Sequence, residues 1–158
     1  MTRPLMLAFA SLTALLTPRA EQGTVPVLPA ATLVADASLR DVAVAVYDSA
    51  RPVIYYNPVV ITRLGPALGT FFLAHEYGHI AYGHTRSSAL RAEASVRDSL
   101  LQEKELEADC YAARMLAGRD PAAVEAAVEF FSRVGEFSYD SEHPSGTRRA
   151  ARIRGCLT

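Results

Sequence analysis

Between Leu64 and His79 the side chains of Leu64, Leu68, Phe71, Phe72, His75 and His79 recur at three- and four-residue steps. That is the period of an amphipathic α-helix, and its apolar stripe runs directly into two histidines. The histidines therefore face inward. Buried imidazoles need polar partners, because an unpaired polar group is costly once removed from water. The question for the rest of the chain is which residues supply those partners.

Upstream, Asp41 to Tyr47 alternates valine and alanine before Asp48-Ser49-Ala50-Arg51-Pro52, and Val53 to Tyr56 resumes a β-branched and aromatic run ending at Asn57-Pro58. A small β-hairpin is expected there. Residues 21–40, with Pro26 and Pro29, show few periodic signals and read as the mature N-terminus or a short approach segment, with no function assigned. Downstream, a second helix is expected from about Ser88 to Leu116, closed by Gly118. A third starts at Asp120-Pro121, an N-cap acid before a first-turn proline, and ends near Gly135. After a loop over Glu136 to Glu142, His143-Pro144-Ser145 opens a final helix rich in Ala and Arg.

The expected fold class is α+β, mainly helical, with the hairpin or a small sheet packed on the helices that carry the site. The chain has 158 residues, half of them hydrophobic, which suits one core and a single domain over residues 21–158. Sixteen Lys and Arg against seventeen Asp and Glu leave almost no net charge, so the electrostatic footprint of a nucleic-acid binder is absent.

Arg3 precedes an apolar stretch from Leu5 to Leu16, which fits a signal-peptide core and falls short of the about 18 residues a membrane span requires. Residues 1–20 are thus expected to be a signal peptide, with an uncleaved N-terminal anchor as the alternative; no further membrane domain is expected. The small residue Ala20 suits a cleavage site, although Pro18 departs from the usual small-x-small pattern. Export implies a secreted or periplasmic location. Cys110 and Cys156 then suit one disulfide in an oxidising compartment, or else two buried thiols, and geometry decides between them.

The two inward histidines belong to His75-Glu76-Tyr77-Gly78-His79, an HExxH sequence. Four residues along a helix correspond to a rotation of only about 40°, so both imidazoles can reach one metal ion. Glu76 points off to one side, where a carboxylate can take a proton from a metal-activated water without being a ligand. A catalytic zinc needs a third protein ligand. His84 is rejected, because the extended pattern HExxHxxGxxH would place its glycine and histidine at positions held by Tyr82 and Thr85. Glu105 is favoured: it shares a helical face with Asp109, which can accept a hydrogen bond from the remote N–H of a ligand imidazole. The competing acids are Glu103 and Glu107. The plainer view makes all of these a solvated face, carrying i,i+4 pairs with Lys104 and Arg114.

HEYGHIAYGH, ELEADCYAA and the later HPS followed by RRAARI resemble the three signatures of the gluzincin metallopeptidases related to the HtpX heat-shock protease and the CAAX prenyl protease. The resemblance covers about residues 71–152. It implies a zincin-like metallopeptidase domain with one Zn2+ per chain, His75, His79 and Glu105 as ligands, Glu76 as base and Asp109 as support for a ligand. It also implies His143 and Arg149 near the site, where they would stabilise a tetrahedral intermediate. Apart from the resemblance, a tyrosine such as Tyr82 is a further candidate for that role. HtpX and the prenyl protease are integral membrane proteins; this chain has only the N-terminal apolar segment, so their membrane substrates do not carry over. A peptide or protein substrate is expected; Val53 to Tyr56 is either an edge to which it adds as a strand or an ordinary hairpin strand. Two other classes stay open: a non-catalytic zinc-stabilised binding or chaperone-like module, and a metal-free helical interaction protein whose histidines are satisfied by Asp109 and Glu105 directly.

Overall fold

The computed structural model describes residues 29–48, 51–84 and 94–158. The expected signal segment, residues 1–20, and the expected helix start at Ser88 lie outside them. In chain order the elements are β1 (Thr32–Ala35), β2 (Ala43–Asp48), β3 (Arg51–Tyr56), α1 (Pro58–Leu64), α2 (Pro66–Ala81), α3 (Ala94–Leu116), α4 (Pro121–Val134) and α5 (Gly146–Gly155). The architecture is α+β and mainly helical, as expected. None of the described helices is long and apolar enough to cross a membrane.

The hairpin is present: β2 pairs antiparallel with β3, from Asp48 opposite Arg51 to Ala43 opposite Tyr56. Two features depart from the expectation. The segment read as an approach contains β1, which pairs parallel with β3 in the register Thr32 to Val53. The sheet order is therefore β1-β3-β2, with β3 in the middle. Four residues of TLVA are too short to announce a strand by alternation; only the non-local ladder with β3 makes them one. Second, Asn57-Pro58 does not merely end a strand. Asn57 caps a separate helix, its side-chain oxygen accepting from Val59 and Val60 N–H at 2.9 and 3.1 Å, with Pro58 in the first turn.

The break between α1 and α2 is at Gly65, whose φ of 88° suits glycine. Its N–H closes α1 on the Ile61 carbonyl, and Pro66 opens α2 without needing a donor. The apolar period runs on across this break, which is why the sequence reads as one helix from Leu64. The later helices follow their caps. Asp120 accepts from Ala123 N–H with Pro121 in the first turn, Gly135 closes α4, and the Ser145 side chain accepts from Arg148 N–H at the start of α5.

Helix α2 is the centre of the molecule. One side packs on α3 and α4 in a cluster built around Phe71, Tyr111, Met115, Ala127, Phe131 and Ile153. The other meets the sheet, where Ile80 joins Ala43, Ala45 and Ile54. Burial on both sides explains why apolar residues spread around most of its circumference rather than along one stripe. Phe71, Phe72, Phe130 and Phe131 meet edge to face, with centroids 5.3 to 6.5 Å apart. At Gly78, inside HExxH, α2 and α3 approach closely: a Cβ there would lie 2.9 Å from Ala108 Cα and 3.1 Å from Tyr111 Cβ. Cys110 and Cys156 are joined in a disulfide, Cα to Cα 5.5 Å, tying the end of α5 to α3.

Candidate metal centre

Because His75 and His79 are one turn apart on α2, their rings meet edge to face with Nε2 atoms 3.0 Å apart. Across from them α3 presents Glu105, one oxygen to each ring: Oε2 lies 3.2 Å from His75 Nε2 and Oε1 lies 3.2 Å from His79 Nε2. The three side chains each offer a donor atom, all within 4.8 Å of one another. Tetrahedral coordination with bonds of about 2.0–2.1 Å separates its donor atoms by about 3.3 Å. The two Nε2 atoms are 3.0 Å apart and each has a Glu105 oxygen at 3.2 Å, so one donor atom from each side chain can face a common point. The group can hold a metal ion, and two imidazoles with one carboxylate match a known catalytic zinc donor set.

The remote nitrogens are held as well. His75 Nδ1 lies 3.0 Å from Asp109 Oδ1. Asp109 is completely buried and is gripped by the Arg149 guanidinium, which donates from Nε to Oδ2 at 2.8 Å and from Nη2 to Oδ1 at 2.6 Å. The Arg149 Cζ also sits 4.1 Å from the Phe131 ring centroid. Glu105 and Asp109 thus act from one face of α3, as their spacing predicts, and Arg149 fastens α5 behind them. His79 Nδ1 faces His84 Nδ1 at 3.1 Å.

The charges interlock. Burial disfavours charge on His75, but hydrogen bonds and attraction from Asp109 and Glu105 outweigh it and push the imidazole up to about 10. Burial likewise opposes charge on Glu105, yet its bonds to His75 and His79 hold it well below the usual carboxylate range. Asp109 is also lowered: burial acts against it and Arg149, then His75, override burial. Glu76 goes the other way. Its burial dominates and raises its pKa, with the neighbouring imidazoles opposing. A carboxylate shifted toward neutral pH is suited to both accept and return a proton.

Glu76 is not among the converging donors. Its Oε2 accepts a hydrogen bond of 2.7 Å from the Ala45 backbone N–H on β2. Sequence reasoning misses this contact, since a backbone donor leaves no side-chain signature. The same bond joins the site to the sheet edge. With β3 paired on both sides, Val53 to Tyr56 has no free edge, and the expectation of strand addition there is corrected: β1 and β2 are the edge strands, and β2 is the one beside the site. A cavity of about 620 Å³ lies along that edge, lined by Val42 to Ala45, the His75, Glu76, His79 and Glu105 side chains, and an apolar wall including Phe72, Phe130 and Phe137.

His143 comes from the loop before α5. Its Nε2 lies 3.9 Å from Glu105 Oε2, its Nδ1 is 2.7 Å from Asp140 Oδ1, and its ring lines the cavity. Arg149 also reaches the site: it lines the cavity while its Nε and Nη2 donate to Asp109. Tyr82, half exposed at the end of α2, meets Tyr111 edge to face and is not part of the cavity wall. Of the competing acids, Glu103 meets Arg148 and Arg152 of α5 at 3.5 and 3.7 Å. Glu107 meets His84 at 3.0 Å. Neither joins the converging donors. No protein-family model, curated protein or solved structure matches the chain.

Proposed function

We propose that this chain is a zinc-dependent peptidase with a zincin-like arrangement of its site, one Zn2+ held by His75, His79 and Glu105, and Glu76 as general base. The observation that supports this most directly is the convergence of three donor atoms from two helices beside a fourth, non-ligating carboxylate. When bound, such an ion supplies a water of lowered pKa and polarises a scissile carbonyl.

The chain's own residues do the rest. Glu76 accepts the proton of the attacking water and returns it to the departing amine, its carboxylate aimed by the Ala45 N–H. The β2 edge offers free backbone groups along which an extended peptide can lie, and the apolar wall receives a side chain. His143, held by Asp140, faces the cavity where an oxyanion would develop. Asp109 and Arg149 keep the His75 ring in place. A non-catalytic zinc module has no need of a buried, backbone-oriented Glu76, which favours the enzyme. The Cys110–Cys156 disulfide supports a secreted or periplasmic location.

The test compares zinc content and casein or peptide-library cleavage of the wild type and Glu76→Gln. Stoichiometric zinc in both, with cleavage reduced by about 10²-fold or more in the variant, is expected. Equal residual activity would sink the base assignment, and a metal-free wild type would sink the centre itself.

A further inference from the structure

His84 is not one of the three converging donors, yet it sits against the site. Gly83, with φ 70°, turns the chain after α2 and its N–H bonds the Ile80 carbonyl at 3.1 Å. That turn brings the largely covered His84 ring back to His79, edge to face, with centroids 5.2 Å apart. Nδ1 of His84 lies 3.1 Å from Nδ1 of His79, and Nε2 of His84 lies 3.0 Å from Glu107 Oε2.

Tautomer logic gives this chain a single direction. His79 turns Nε2 toward His75 and Glu105, so its proton resides on Nδ1 when Nε2 ligates. Nδ1–H must donate, and the acceptor at hydrogen-bond distance is His84 Nδ1. His84 then carries its own proton on Nε2 and donates it to the Glu107 carboxylate. Each hydrogen bond has one donor and one acceptor with no clash. Helix α3 thereby serves both ligand imidazoles: Asp109 holds His75 directly, and Glu107, two residues after Glu105, holds His79 through His84.

We propose that His84 and Glu107 form a positioning relay that fixes the tautomer and ring orientation of His79 for metal binding. This rests on the metal-centre reading above, and neither residue touches the ion or the substrate. Partners that orient a ligand histidine typically contribute 10–100-fold in metal affinity. The relay therefore predicts a graded series set by acceptor chemistry.

The experiment measures zinc affinity by competition with a chromophoric chelator, together with the visible spectrum of the cobalt-loaded protein and the melting temperature of the metal-free protein. His84→Phe keeps a ring but removes the acceptor: zinc affinity should fall about 10–100-fold and the cobalt spectrum should change. His84→Asn places a carbonyl oxygen near the position of Nδ1 and should recover most of the affinity and the wild-type spectrum. Glu107→Leu should weaken zinc binding a few-fold in the wild type and have no further effect in the His84→Phe background. Metal-free melting temperatures should stay close to wild type, so that a fold defect is told apart from a loosened ligand. Zinc affinity of His84→Phe within twofold of wild type, or an Asn variant as weak as the Phe variant, would overturn the relay. A wild type that binds no zinc overturns the centre on which it rests.

Discussion

Replacing Asp109 by leucine tests the packing of the site without reference to any metal. The carboxylate is completely buried and accepts bonds from Arg149 Nε at 2.8 Å, Arg149 Nη2 at 2.6 Å and His75 Nδ1 at 3.0 Å. Its removal leaves a buried guanidinium without the carboxylate it is hydrogen-bonded to, with Glu105 and Glu76 the remaining acids that act on it. Breaking such a pair from one side costs about 3–5 kcal/mol, and the Phe131 face beneath Arg149 returns only about 1 kcal/mol of that. Arg149→Met should cost about 3 kcal/mol, since Asp109 keeps His75 as a partner. The double variant removes both charges and should be no less stable than Asp109→Leu alone, an interaction energy of about 3 kcal/mol. Urea unfolding of the chelator-treated protein reads these values directly. With a slope of about 2 kcal/mol/M, the Asp109→Leu midpoint falls by roughly 2 M. Two single-variant losses that simply add, or an Asp109→Leu loss under about 1 kcal/mol, would refute the claim that this pair fastens α5 to the site.

Three further outcomes are expected. Gly78→Ala forces a Cβ into the Ala108 backbone, so α2 and α3 must separate; a loss of about 1–3 kcal/mol and weakened zinc binding should appear in melting and chelator-competition measurements, and unchanged values would show that the helices can yield. Reducing the Cys110–Cys156 bond, which closes a segment of 46 residues, should lower stability by about 4 kcal/mol by loop entropy, read as a shift in the urea midpoint with and without reductant. The metal-free protein should be most stable between about pH 4.5 and 6.5. Glu105 and Asp109 have folded pKa values below their ordinary 4.5 and 3.8, so their contribution is present above those values and lost as pH falls. His75 is raised from 6.5 to about 10, so its contribution is present below 6.5 and lost as pH rises through 10. A melting temperature flat from pH 3 to 11 would contradict both signs.

What could be read from the sequence is local. HExxH on an apolar helical period puts two imidazoles on one inward face, and Glu105 and Asp109 at i,i+4 spacing share another, whatever surrounds them. Asp120-Pro121, Ser145 and Gly135 mark helix ends because capping depends on the nearest few residues. The split at Gly65 was hidden because the apolar period continues through it, and β1 because four residues carry too little alternation.

Which groups meet across elements only the tertiary structure decided. The spacing to Asp109 favours Glu105 over Glu103 and Glu107, but it is the close crossing of α2 over α3 at Gly78 that brings Glu105 to the imidazoles, with Glu107 at His84 and Glu103 against α5. The pairing of Arg149 with Asp109, the aim of Glu76 by a backbone N–H of β2, and the placing of β2 at an edge beside the site have the same origin. Periodicity and capping are properties of neighbours along the chain, whereas the pairing of a side chain with a partner 30 or 40 residues away depends on how the helices and sheet pack, and packing is set by the whole core at once.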